Sequence, residues 1–194
     1  MRRKTFDALA VGAGLVMTAL LLVAGGLLAW GHSFVTNEVH TQLAAEKIVF
    51  PANNSPAIKA PEFAAMHQYA GQLMTTGAQA EVYADHFTAN HLKEIGGGKT
   101  YAQPSAQSLA NPKNATLAAR LQTVFRDETL RGLLLNAYGF ATMGQVVMVA
   151  AIAAFVGAGL MLILSVLGIW HLRRATPEAE VFPKLAPRAQ PNAA

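Results

Sequence analysis

The chain has 194 residues, of which 53% are apolar and only 13% are charged, roughly half the charged fraction of a typical soluble domain. The charges avoid two stretches, since the 23 residues from Ala8 to Trp30 and the 39 from Gly132 to Trp170 contain no Asp, Glu, Lys or Arg. Uncharged apolar runs of about 18 residues or more predict transmembrane helices, because a helix satisfies its own backbone hydrogen bonds in lipid. The composition therefore excludes a soluble cytoplasmic enzyme, and we expect an integral membrane protein.

The net charge of +4 comes from the two ends of the chain, because the stretch between the apolar runs carries eight basic and eight acidic residues. Three basic residues lie in the leader, residues 1–5, and Arg173 and Arg174 follow the second run. Basic residues favour the cytoplasmic side of a membrane, so both termini are predicted to be cytoplasmic and the intervening loop extracytoplasmic. A nucleic-acid-binding face is not expected, since the basic clusters flank the predicted spans.

The predicted fold is all-α, an integral membrane protein with two transmembrane helices and a mainly helical extracytoplasmic domain. Ala29 and Gly31 have the spacing of a signal-peptidase site, but the apolar run is longer than a signal-peptide core, so we expect the first helix to be retained. In chain order, the segments are a cytoplasmic basic leader (1–5), transmembrane helix 1 (6–31), the extracytoplasmic domain (32–138), transmembrane helix 2 (139–171) and a disordered cytoplasmic Pro- and Ala-rich tail (172–194).

The first helix is predicted to continue beyond the membrane. Val35, Val39 and Leu43 keep a four-residue apolar spacing as far as about Lys47. Three prolines at intervals of five residues then predict a stiff, extended connector rather than a helix; they are Pro51, Pro56 and Pro61.

A proline-free segment from Glu62 to Ile95 predicts the main helix of the extracytoplasmic domain. Its seven-residue apolar pattern has one series of mostly large residues, and a second series with small residues at Ala70, Gly77 and Ala84. Such a pattern favours a helix whose seam packs closely on a neighbouring helix. Two interpretations remain open: the seam belongs to the internal core of this domain, or it forms a stripe that binds a partner. On this reading Gly77 lies in mid-helix, and its replacement by alanine should be mild.

The glycine triplet at residues 96–98 predicts a helix C-terminus, because glycine readily adopts the left-handed conformation that ends a helix. Residues 99–113, with two prolines, are predicted to be an irregular loop. A new helix should begin near residue 115 and, with no strong break, continue as one long helix into the second apolar run.

The six histidines raise the possibility of a metal site. Glu81 and Asp85 share a helix face, but His86 and His91 point elsewhere at their spacing, whereas an iron site needs converging ligands. His32 and His171 lie at opposite ends of the predicted spans, about 30 Å apart, so they cannot clamp one haem. The chain also has no cysteine and no G-x-S-x-G motif. We therefore expect no catalytic residue, no cofactor and no metal.

Small residues in the second apolar run form two ladders with a four-residue spacing. Such ladders let membrane helices approach closely enough for dispersion contacts to hold them together. Either the two spans of one chain pack on each other, or the ladder docks onto another membrane protein. Together with the small seam residues above, the candidate helix-packing residues are Ala150, Ala154, Ala158, Ala153, Gly157, Ala70, Gly77 and Ala84.

Several stretches resemble a family of two-span membrane proteins from actinobacteria that has no established activity. They include residues 1–7 (MRRKTFD), 24–31 (AGGLLAWG), 48–51 (IVFP), 69–72 (YAGQ), 75–80 (TTGAQA) and 98–101 (GKTY), and the resemblance covers nearly all of the chain except the tail. Members often carry the label of aromatic ring-opening dioxygenase. The resemblance implies the topology and the class of host.

The sequence therefore favours a non-enzymatic membrane protein that is a structural or accessory component of a cell-envelope or membrane protein complex. Its expected partners are the lipid bilayer and a membrane protein or a second copy of the chain, without nucleic acid, and its expected location is the cell membrane. The alternative is a ligand sensor whose helical outer domain signals through a partner. A third hypothesis is a membrane-bound oxygenase, as the family label suggests.

Overall fold

The computed structural model describes residues 3–174, and every regular element in that range is a helix. The two longest are α1 (Arg3–Ala45) and α5 (Ala115–Arg174). Both are long and apolar enough to cross a membrane, judged by length and composition, with mean hydropathies of 2.3 and 2.7 in their most apolar windows. The prediction of an all-α fold is confirmed, and so is the single long helix that begins near residue 115.

The described residues divide into two compact units, to each of which α1 and α5 contribute. One unit, the helix pair, comprises residues 3–29 and 149–174, and the other, the central domain, comprises Trp30–Met148. The central domain thus also takes in residues 139–148, which hydropathy assigns to the second span. A helix can carry a span and a domain contact without a break, so hydropathy does not mark this boundary.

Short helices fill the central domain between α1 and α5. Two 3₁₀ helices, Pro56–Ile58 and Pro61–Tyr69, come first. They are followed by α2 (Gly77–Val82), a π-helical turn (Tyr83–Thr88), α3 (Ala89–Gly96) and α4 (Ala102–Ala110). Gly97 ends α3 in the left-handed conformation with φ of 63°, which confirms the predicted C-cap.

The prediction of one helix from Glu62 to Ile95 is wrong. The chain leaves the second 3₁₀ helix at Gly71, whose φ is +72°. Backbone hydrogen bonds then join residues 71–74 to residues 48–50, with the isolated bridge between Val49 and Leu73 at their centre. A fresh helix starts at Thr76, whose hydroxyl accepts from the Gln79 N–H while the Gln79 side chain accepts from the Thr76 N–H. This capping box starts a new helix after Thr76, although the seven-residue apolar pattern continues across the break.

Three further features differ from the prediction. The segment 99–113 contains α4 rather than only loop, because Pro104 lies in the first turn, where a helix tolerates proline. Helix α1 includes residues 3–5 of the predicted leader, and α5 includes residues 172–174 of the predicted tail. Basic side chains in the last turn of α5 complement the helix dipole. The predicted disorder from residue 175 onwards lies outside the described residues.

The core of the central domain is built from the inner faces of α1 and α5 and from the short helices. Its fully buried large side chains include Phe50, Ile58, Met66 and Met74. Phe50 contacts both Tyr69 and Tyr83, each with a ring-centroid distance of 5.4 Å. These aromatic contacts connect the segment after α1 to the π-helical turn, and so fix the short helices around one centre.

Candidate functional site

In the helix pair, α1 and α5 bury matching rows of mostly small residues. Gly14, Thr18 and Gly25 are buried on α1, and Ala151, Ala158 and Ser165 are buried on α5. The buried hydroxyls do not lack partners, because Thr18 donates to the Gly14 carbonyl and Ser165 to the Met161 carbonyl, each over 2.8 Å. A hydroxyl that bonds within its own helix can be buried among apolar groups without losing a hydrogen bond.

Close helix approach depends on three glycines. A Cβ atom at Gly14 would overlap Ser165 Oγ, and one at Gly168 would lie 2.6 Å from a Val11 methyl carbon. A Cβ atom at Gly25 would lie 3.0 Å from the Phe155 ring. By contrast, nothing lies within 4 Å of the Cβ position at Gly12 or Gly26, so those glycines face away from the seam.

The predicted ladder residues of α5 fall on two different faces. Ala158 is buried, Ala154 and Gly157 are half-buried, and Ala150 and Ala153 are exposed. The buried seam alternates steps of three and four residues, whereas the predicted ladders use steps of four only. Residues spaced four apart move gradually around the surface of a helix. In a long contact between helices that cross in the left-handed sense, the contact residues therefore recur every 3.5 residues on average. The residues of the seam are Val11, Gly14, Thr18, Leu21, Gly25 and Leu28 on α1, and Ala151, Ala154, Ala158, Met161, Ser165 and Gly168 on α5.

The other predicted packing residues lie in the central domain. Ala84 and Gly77 are buried, and Ala70 is half-buried. Gly77 is the first residue of α2, and its Cβ position would overlap the Ala141 methyl group and lie 3.2 Å from the Tyr138 Cα of α5. The expected close approach of a neighbouring backbone is therefore present, although these three residues do not share one helix.

Helix α5 also holds the short helices through polar side chains. Arg131 contacts Asp85 over 2.7 Å and donates to the Ala84 carbonyl, and Glu128 accepts from the Tyr101 backbone N–H at the start of α4. The positions of these groups were not predicted, because they become meaningful only when the contacts between distant segments are known.

Two further polar side chains of α5 contact α3. Arg120 donates to the Ile95 carbonyl near the end of α3, and Asp127 lies 2.7 Å from His91 Nδ1. Polar side chains of the first part of α5, between Arg120 and Arg131, thus hold the short helices in place.

Four of the histidines are engaged through Nδ1 in contacts within the central domain. His32 contacts the Gly144 carbonyl and His86 the Glu62 carbonyl, each over 2.8 Å, and His67 contacts Asn53 Oδ1 over 2.9 Å. The fourth, His91, faces a carboxylate of α5. No group of three or more His, Cys, Asp or Glu suited to hold a metal occurs among residues 3–174.

The fold perturbs the ionisation of Tyr83, which lies in the π-helical turn. Burial raises the pKa of its hydroxyl above the ordinary value, and the negative charge of Asp127 raises it further. Both effects disfavour the tyrosinate, so Tyr83 is held as a neutral, packed aromatic residue against Phe50 and Phe87.

The central domain contains an open groove of about 400 Å³. One wall is formed by residues 34–48 and the other by residues 130–140 of α5. Its apolar wall includes Phe34, Leu133 and Phe140, and its lining carries two carboxylates, Glu38 on α1 and Glu46 just after the end of α1. Sequence periodicity gives no signal for this groove, because it arises from the incomplete filling of space between two packed helices.

Comparisons with protein-family models, with curated proteins and with solved structures find no match to this chain.

Proposed function

We propose that the protein is an integral membrane protein, held by α1 and α5, that acts as a non-enzymatic structural or accessory component of a cell-envelope or membrane protein complex. In this proposal both termini are cytoplasmic and the central domain is extracytoplasmic. The observation that carries the membrane assignment is the outward surface of the helix pair, which exposes large apolar side chains on α1 and on α5.

The exposure of these side chains is high along the whole helix pair. Leu9, Leu20 and Leu27 of α1 are 60–64% exposed, and Leu160 and Leu164 of α5 are 59% and 61% exposed. Soluble monomers rarely expose contiguous apolar patches beyond a few hundred Å². A lipid bilayer is the environment that stabilises such a surface, and the basic residues at the chain ends support the proposed orientation.

An accessory role is supported by small residues that remain exposed beside the seam. Gly12, Ala19 and Gly26 recur every seven residues on one face of α1, and Ala150 and Ala153 lie outside the seam on α5. Small residues of this kind let a further membrane helix approach closely. The partner in this proposal is a membrane protein or a second copy of the chain.

The test is co-purification of the full chain from native membranes in a mild detergent. A protein partner in fixed stoichiometry, or a defined oligomer, is the expected result. Gly26→Leu should reduce the recovery of the partner or oligomer, because a leucine side chain prevents another helix from approaching the face of α1 that carries Gly12, Ala19 and Gly26. The matched control is Ala24→Leu, another exposed position of α1 outside the small-residue row. Recovery of only monomer, or equal recovery with both variants, would reject the accessory role.

A second candidate function is the ligand sensor, and the observation that favours it is the groove between α1 and α5. A small molecule that co-purifies in place of a protein partner would support this candidate. An iron assay on the same sample tests the oxygenase hypothesis, since bound iron in stoichiometric amount is expected only for that activity.

A further inference from the structure

The groove of the central domain has the size of a small-molecule site. Its volume of about 400 Å³ lies within the range of about 300–1,000 Å³ typical of such sites. Its lining residues on α1 run from Phe34 to Leu43, which corresponds to a length of about 14 Å at the helical rise of 1.5 Å per residue, and Glu46 and Ile48 extend the lining beyond the end of the helix.

These dimensions favour a slender occupant. The lining extends along α1 and continues past the end of the helix, and a space of about 400 Å³ with this elongated shape can receive an alkyl chain or a similarly thin molecule.

The walls of the groove indicate that the larger part of a ligand should be apolar. Val39, Leu43 and Leu134 form buried parts of the lining, with exposures of 9%, 5% and 3%. Phe34 and Leu133 are also in the lining but remain more than half exposed. A ligand that covers these exposed apolar surfaces gains hydrophobic free energy, so its body should be apolar.

The charges beside the groove indicate which charge the polar group of a ligand should carry. Glu38 and Gln42 lie four residues apart on one face of α1, and Glu46 follows in the turn just after the end of the helix. Gln42 donates to Glu38 Oε1 over 2.6 Å, which holds the first carboxylate in place. The lining contains no lysine or arginine. The charged part of the lining is therefore negative, and it attracts a cation and repels an anion.

From this geometry we infer that the groove binds a slender amphiphilic cation, with an apolar chain along the walls and a protonated amine against Glu38 or Glu46. This binding site goes beyond the accessory role. It also names the ligand class for the sensor candidate, without depending on whether binding produces a signal.

Trp30 supplies a built-in reporter of occupancy. Its ring stacks on Phe34 with a centroid distance of 5.8 Å, and Phe34 lines the groove. The chain has two tryptophans, so Trp170→Phe leaves Trp30 as the only one. Ligand that contacts Phe34 should change the emission of Trp30.

The experiment titrates three probes with the same chain and different head charge into the full-length Trp170→Phe protein in phosphatidylcholine nanodiscs at pH 7.5. The probes are octylamine, 1-octanol and octanoate. We expect a saturable change in Trp30 emission with octylamine, weaker binding of octanol and the weakest binding of octanoate. At this pH the amine is a cation, since alkylamines have pKa values near that of lysine, about 10.4.

Variants separate the contributions of charge and of apolar surface. Glu38→Gln with Glu46→Gln should weaken octylamine binding by about twofold to fivefold, as expected for the loss of an exposed charge pair. The matched control, Glu62→Gln with Glu94→Gln, removes the same charge away from the groove and should leave binding unchanged. Leu133→Gln should also weaken binding, whereas Leu109→Gln, at a leucine that is 80% exposed on α4, should not.

Three results would overturn the inference. The first is a non-saturating response that is equal for the three probes, which indicates partition into lipid only. The second is octanoate binding as tight as that of octylamine, which removes the role of the carboxylates. The third is a photoreactive residue at position 133 that cross-links to another protein in intact cells without competition by octylamine. The first two results leave the outcome of the co-purification test open, whereas the third would overturn the ligand site and still agree with a protein partner.

Discussion

Gly77 shows how a single missing side chain determines packing in the central domain. It is buried at the start of α2, against Ala141 and the backbone of α5 at Tyr138. The atoms nearest to the Gly77 Cβ position are Ala141 Cβ and Tyr138 Cα. Because neither atom can rotate away, they cannot move aside without a shift of α5. Gly77→Ala should therefore destabilise the protein by about 1–3 kcal/mol through overpacking. The measurement is the free energy of unfolding of the full chain in detergent.

The control for Gly77 is another helical glycine with open surroundings. Nothing lies within 4 Å of the Cβ position at Gly132 in α5, so Gly132→Ala should stabilise the protein by about 0.5–1 kcal/mol through helix propensity. Equal effects of the two substitutions would contradict the close contact at Gly77. A mid-helix position predicts a mild effect of Gly77→Ala, whereas the contacts of Gly77 with α5 predict the larger destabilisation given above.

Tyr83 provides a pH-dependent test of burial in the π-helical turn. Burial and the charge of Asp127 raise the pKa of its hydroxyl in the folded protein, while an unfolded tyrosine titrates near pH 10. The unfolded chain therefore loses this proton first. The stabilisation is fully present below about pH 10 and is lost as the pH rises through the raised pKa.

Replacing Tyr83 by phenylalanine should remove this alkaline loss of stability. We expect the denaturant midpoint of the native protein to fall more steeply between pH 9 and pH 11 than that of Tyr83→Phe. The other tyrosines are common to both proteins, so the difference reports Tyr83 alone. Parallel pH profiles would mean that the hydroxyl ionises equally well in the folded and unfolded states.

Sequence reasoning predicted the end of α3 correctly, but it failed both at one local signal and at one contact between distant segments. Gly97 as a C-cap follows from glycine's conformational freedom. The break before Thr76 was missed, although Thr76 and Gln79 carry the pattern of a capping box. The seven-residue pattern across this break arises from residues in unrelated conformations. The pairing of residues 48–50 with 71–74 has no sequence signal of its own, since it joins segments that are distant along the chain.

At the scale of elements, one continuous helix, α5, contributes to both compact units. Its first part carries charged and polar groups that hold the short helices, among them Glu128 and Arg131. Its last part buries Ala151, Ala158 and Ser165 at seven-residue intervals. The existence of this helix could be predicted from hydropathy, whereas the face used for packing could not, because nearly all residues around it are apolar.

An engineered disulfide can test the seam of the helix pair directly. A Cβ atom at Gly14 would lie 3.6 Å from the Ser165 Cβ, within the 3.5–4.5 Å range of disulfides. The chain has no cysteine of its own, so Gly14→Cys with Ser165→Cys gives a clean pair. We expect rapid and nearly complete oxidation, detected as a mobility shift that a reductant reverses.

The matched pair for this cross-link is Gly12→Cys with Ser165→Cys. Gly12 lies two residues away on α1 with nothing near its Cβ position, so this pair should remain reduced under the same conditions. Oxidation of the Gly12 pair in preference to the Gly14 pair would mean that α1 packs on α5 through the face that carries Gly12. The alternation of three and four residues would then be incorrect.

At the scale of the whole molecule, the distribution of charge and apolar surface predicts the orientation in the membrane. The segment between the apolar runs is electrically balanced, while the chain ends carry the excess of basic residues. Basic residues close to the ends of a span favour the cytoplasmic side, whereas a long segment is translocated largely regardless of its charge. The alternative orientation would require the basic leader and the basic end of α5 to reach the extracytoplasmic side.

Single cysteines at Lys99 and Arg188 can distinguish these orientations, because the native chain contributes no thiol. Lys99 is exposed in the central domain, just after the glycine triplet, so a cysteine there should be accessible to reagent. On intact cells, a membrane-impermeant maleimide should label Lys99→Cys and leave Arg188→Cys unlabelled. After permeabilisation both should be labelled, which controls for reactivity. Labelling of position 188 but not of position 99 on intact cells would invert the orientation and place the groove and its carboxylates on the cytoplasmic side.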